Sequence, residues 1–132
     1  MTTIDELIPH RAPMSLLDRV VSQGERVCCE AEVRVGNPLL GVGGLPGWAL
    51  LEYIAQAAAV MRGLEGPGEG GRPGYLVAVR DARFVALVEV GTRLEVQVWR
   101  DGSARGGMAS LQGEVTSLGR CLCHATITVK EG

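Results

Sequence analysis

The stretch GWALLEYIAQAAAVMRG, residues 47–63, constrains this chain more than any other segment. It has the length of a helix, and it is apolar on nearly every side, so it has no face to give to water. A helix of that kind must be surrounded by the rest of the fold. Pro46-Gly47 opens it, and Gly63, followed by the flexible GPGEGGRPG, predicts its end. The run from Leu45 to Met61 is the one candidate membrane span. It is short, begins with Pro46-Gly47 and holds Glu52 and Gln56, which points to a buried helix of a soluble protein and no membrane span. Glu52, a lone carboxylate inside this run, is the residue a reading of function has to explain.

The segments around the helix read as strands. TTIDELI predicts a short amphipathic helix closed by Pro9, and MSLLDRVVS then reads as a strand. From Val27 the apolar residues fall on alternate positions, Val27, Cys29, Ala31, Val33 and Val35, with Glu30, Glu32 and Arg34 between them. Period two marks a half-buried strand. GNPLLGVGGLPG is a loop, and after the helix GYLVAVRDARFVAL, TRLEVQVWR, GMASLQGEVTS and RCLCHATITVK read as strands, with DGSARGG and Leu118-Gly119 as turns. Cys121, Cys123, Ala125, Ile127 and Val129 are expected on one face of the last strand. About six strands must cover one helix, which predicts an α+β fold with a strongly curved antiparallel sheet wrapped around it. With 132 residues, 46% of them apolar, one domain spanning 1–132 is expected.

Charge and cysteine usage narrow the function. The net charge is −2 and the 13 Lys and Arg residues are scattered, so nucleic acid is not an expected partner. The four cysteines sit in strands with no signal peptide before them, which suits a reducing cytoplasm better than a disulfide scaffold. Cys121, Cys123 and His124 lack the ligand spacing of a zinc site, and no metal is expected.

Three segments together resemble the β-hydroxyacyl-acyl-carrier-protein dehydratase family of the hotdog fold. LIPHRAPMSLLDRVV (7–21) is similar to the family's opening, LPGWALLEYIAQAAA (45–59) to its Pro-Gly-x-x-x-x-Glu-x-x-Ala-Gln helix, and VRDARFVALVEVGTRLEVQV (79–98) to its Arg-Phe strand and the Pro-Gly-Asp-x-Leu that follows. The resemblance implies a dimer joined sheet edge to sheet edge, with acyl-thioester tunnels at the interface and no metal or redox cofactor. It also implies a role for Glu52, which falls on the helix carboxylate that works with a histidine of the other subunit. Loss of water from a 3-hydroxyacyl thioester needs a base for the α-proton and an acid for the departing hydroxyl.

The chain departs from the family at one point. The loop before the helix, Gly-His-Phe-Pro-Gly in the family, is here NPLLGVGGLPG, without histidine. That loop and the PGW helix start are similar to the dehydratase-like accessory proteins of aryl-polyene and related polyketide-type lipid pathways, which implies a second hotdog subunit that supplies the histidine. A homodimer is the alternative, with His10 of PHRAP as the second titratable candidate beside Glu52. His124 is expected at the surface, on the side of its strand away from Cys123.

Four further residues are candidates for the substrate site. The backbone N–H groups of Gly47 and Trp48, in the first helical turn, suit a thioester oxygen. Trp48 is expected to wall the pocket or to pack in the core. Gln56, one turn after Glu52, is placed to orient the carboxylate or to satisfy nearby backbone, and Asn37 opens the loop as a side-chain cap or a substrate contact. The expected substrate is an acyl thioester on acyl carrier protein or CoA. For Glu52 itself the structural alternative is a pair with Arg11, Arg80 or Arg83 across a subunit interface. Two other functions stay open: a hotdog thioesterase, and a non-catalytic acyl-binding or partner subunit, which the missing loop histidine supports.

Overall fold

The computed structural model describes residues 3–4, 14–65, 74–102 and 106–131. The expected N-terminal helix of residues 2–8, the connection after the helix and the tip of the DGSARGG turn lie outside the described residues or nearly so. Strands β1 (Arg19–Ser22) and β2 (Arg26–Glu32) lead through the glycine-rich loop to the short β3 (Leu45–Pro46). A 3-10 turn, Gly47–Ala49, then passes into helix α1 (Leu50–Glu65). Strands β4 (Gly74–Phe84), β5 (Leu87–Val88), β6 (Arg93–Arg100), β7 (Met108–Ser117) and β8 (Arg120–Glu131) follow. All pairings are antiparallel, in a six-stranded sheet of order β1-β2-β6-β7-β8-β4, with β3 and β5 forming a separate pair.

The helix is enclosed as its composition demands. Leu50, Tyr53, Ile54, Ala57 and Val60 are fully buried against inward-facing Val27 and Cys29 of β2, Val96 and Val98 of β6, Val115 of β7 and Ala125 of β8. Gly113 of β7 lets the helix seat closely, because a Cβ there would lie 2.3 Å from Ile54 Cγ2. Leu118 and Gly119 both take positive φ, 50° and 79°, in the two-residue turn joining β7 to β8.

Four local expectations need correction. The first strand starts only at Arg19, because the backbone of Met14 and Leu16 is hydrogen-bonded by a helix side chain instead of a neighbouring strand. The helix runs past Gly63, which is buried within it and does not take the left-handed conformation that a terminating glycine adopts. Val35 is exposed beyond the end of β2. Cys121 is exposed because the register shifts between Val115 and Thr116, so that Leu122 joins Cys123 in the interior.

The two sheet edges differ. β1 has four residues and a register shift. β4 has eleven residues with two register shifts, and Leu76, Val77, Val79 and Phe84 on it, with Leu87 just beyond, are exposed. A long apolar edge is a template for another chain's strand. Among the described residues no helix is long and apolar enough to cross a membrane.

Candidate active site

Glu52 lies in the first turn of α1 and is half-buried. Four residues on, Gln56 is fully buried, and its amide has three partners. Its Nε2 donates to Glu52 Oε1 at 3.2 Å and to the Met14 carbonyl at 2.6 Å, while its Oε1 accepts the Leu16 N–H at 2.9 Å. The i,i+4 spacing stacks the two side chains on one helix face. The same amide also ties down the segment entering β1, so the two expectations for Gln56, orienting the carboxylate and satisfying backbone, describe one network.

Gly47 has a different part from the expected one. Its N–H donates to the Ala86 carbonyl at 3.0 Å and is therefore not an unpartnered donor for a thioester oxygen. A Cβ at this position would fall 1.5 Å from the Val85 carbonyl oxygen. The glycine is there because the strand end after Phe84 presses against the start of the helix. Of the two expectations for Trp48, packing in the core is overturned, because its side chain is 54% exposed.

Asn37 is occupied by its own loop and by the helix. Its Oδ1 accepts the Leu39 N–H at 2.8 Å and its Nδ2 donates to the Tyr53 hydroxyl oxygen at 2.8 Å. Burial pushes the Tyr53 phenol above its ordinary pKa, and the Asn37 hydrogen bond opposes that rise. Tyr53 was missed by the sequence reading, although a tyrosine in an apolar helix signals a hydroxyl in need of a partner.

His10 lies outside the described residues. His124 is half-buried on β8, opposite Arg83 and Glu114, with its ring 6.3 Å from that of Trp99. It therefore lies on the outer face of the sheet, whereas α1 and Glu52 lie on the inner one. Among the described residues no imidazole stands beside Glu52. The site is a carboxyl group held by an amide on an apolar helix, equipped for one half of an acid–base pair.

The family model described as ApeP-like, ApeP dehydratase, matches residues 2–132. The 3-hydroxyacyl-[acyl-carrier-protein] dehydratase FabZ of Mannheimia succiniciproducens is 33% identical, over 89% of this chain and 86% of its own length. The protein of the same name from Oceanobacillus iheyensis is also 33% identical, over 95% and 93%. Among solved structures, a chain of the dehydratase heterocomplex ApeI:P from Xenorhabdus doucetiae superposes with a TM-score of 0.89 at 28% identity, covering 100% of this chain and 92% of that one. The phenylacetic acid degradation protein PaaI from Thermus thermophilus, at 22% identity and a TM-score of 0.67 over 86% of this chain and 92% of that one, shares the fold alone. The sheet-wrapped helix is thus a hotdog fold.

Proposed function

We propose that this chain, which belongs to the ApeP-like dehydratase family, supplies the acid of a 3-hydroxyacyl-thioester dehydratase whose base comes from a second hotdog subunit. The observation that carries the proposal is Glu52 itself, a half-buried carboxyl held by the fully buried Gln56 with no imidazole beside it among the described residues. In the reaction a partner imidazole takes the C2 proton of the 3-hydroxyacyl thioester. The electrons of that C–H bond form the C2=C3 double bond, and the C3 hydroxyl leaves as water with a proton from Glu52. No metal or redox group enters that balance.

The FabZ relatives act on 3-hydroxyacyl groups of acyl carrier protein, and the ApeI:P structure is a heterocomplex. Both facts support an acyl-carrier-protein substrate and an unlike partner for this chain. The apolar edge of β4 supports edge-to-edge pairing, and four free thiols suit a reducing cytoplasm.

The test is hydration of a crotonyl thioester, the reverse reaction, followed as loss of enoyl absorbance for the chain alone and with a hotdog partner. Activity only in the mixture, falling about 10²- to 10⁴-fold in Glu52→Gln, is the expected result. Activity untouched by Glu52→Gln in the assembled complex would favour the non-catalytic partner subunit, and release of free thiol would favour the thioesterase.

A further inference from the structure

We propose that the backbone of Met14–Leu16 is a positioning element of the active site: it locks the Gln56 amide as a donor toward Glu52 Oε1 and so fixes the orientation of the carboxyl group for catalysis. The proposal deepens the reading of Glu52 as the acid and rests on it for the effect on kcat alone.

An amide side chain can turn over and exchange its oxygen for its nitrogen, and which way it lies is decided by its partners. Gln56 faces a backbone N–H on one side, Leu16 at 2.9 Å, and a backbone carbonyl on the other, Met14 at 2.6 Å. Turned over, it would set NH₂ against N–H and oxygen against oxygen, in a position with no exposure to water. The two backbone groups are themselves held, because Leu16 and Leu17 are buried in the core. One hydrogen of Nε2 is then spent on Met14, and the other points at Glu52 Oε1, 3.2 Å away.

A carboxyl oxygen that faces a fixed N–H cannot also hold a proton toward it. The lock therefore sets how Oε1 is used and fixes the plane in which the carboxyl group meets the substrate. A segment about 40 residues upstream in sequence thus orients the carboxyl group.

The test uses two readouts on the full chain in its assembled complex. In nitrogen-15 NMR, both Gln56 side-chain protons are expected to exchange slowly with water, and only one of them to shift in Glu52→Ala. Fast exchange, or both protons unmoved in that variant, overturns the lock. In the crotonyl-thioester assay, Gln56→Leu is expected to lower kcat about 30-fold or more with KM changed less than about twofold. A purely structural amide would instead lower the folded fraction at unchanged kcat per folded site. Replacing the Leu16 amide by an ester removes its N–H while keeping both side chains, which decides the matter if Gln56→Leu does not fold. It is expected to lower kcat about 3- to 10-fold, and an ester variant and a Gln56→Leu variant that both retain kcat within twofold would overturn the proposal. If the wild-type complex is inactive while the NMR pattern holds, the dehydratase reading fails and the amide lock stands.

Discussion

Replacing Gly47 by alanine separates packing from substrate binding at the start of the helix. The added Cβ would lie 1.5 Å from the Val85 carbonyl oxygen and 2.7 Å from its carbon, where ordinary contact begins at 3.4 Å. A carbonyl cannot swing aside like a flexible side chain, so the helix start and the strand end must part by about 2 Å, a shift that overpacking data value at about 1–3 kcal/mol. That movement also breaks the 3.0 Å bond from the Gly47 N–H to Ala86. A buried amide left unpaired adds about 1–3 kcal/mol. Together these predict a loss of about 2–6 kcal/mol and, for a domain of this size, a fall in Tm of about 7–20 °C. Thermal unfolding followed by circular dichroism measures it. A Tm within about 3 °C of wild type, combined with a large loss of kcat, would refute the packing argument and restore Gly47 to the thioester oxygen.

Asn37→Ala removes the donor to the buried Tyr53 hydroxyl and the acceptor for the Leu39 N–H. Urea unfolding should report a loss of about 1–3 kcal/mol with KM for the thioester unchanged within twofold. Gly113→Ala drives a Cβ into Ile54; it should cost about 1–3 kcal/mol, and less when combined with Ile54→Ala, in a double-mutant cycle read by chemical denaturation. Burial holds the thiols of Cys29 and Cys123 protonated up to about 12, against an ordinary 9.0. The unfolded chain thus releases these protons first, and stability, intact below about pH 9, falls as pH rises toward 12. The slope is about 1.4 kcal/mol per pH unit for each thiol. Denaturation midpoints from pH 8 to 11 should show this fall, and Cys29→Ala with Cys123→Ala should flatten it.

The enclosed helix was legible because a helix with no polar face leaves the rest of the chain one task, and alternation along β2 and β6 supplied the strands that do it. The element ends were less legible, for reasons that lie outside the segments themselves. MSLLDRVVS has the residues of a strand throughout, yet its first half spends backbone groups on Gln56, far along the chain. Gly63 looks like a stop, but a glycine stops a helix by turning left-handed, and here burial keeps it helical. Cys121 leaves its expected face because a single extra residue shifts the pleat.

The site divides in the same way. Glu52 and Gln56 were legible because a spacing of four on a helix is a local distance, and the pair meets at 3.2 Å. Gly47, Trp48 and Asn37 were read from local rules that assume the helix start and the loop face open space. Tertiary placement fills that space at two of them, with Ala86 and Val85 against Gly47 and Tyr53 against Asn37, whereas Trp48 does stand at the surface. The missing imidazole follows the opposite logic. Its absence from the loop before the helix is visible in the sequence, but its consequence depends on which face of the sheet holds the remaining histidine. With His124 on the outer face and Glu52 on the inner one, no rotation of either side chain brings them together through the sheet. Among the described residues the inner face thus offers Glu52 no imidazole; His10 lies outside them, and under the proposed function the base belongs to a second subunit.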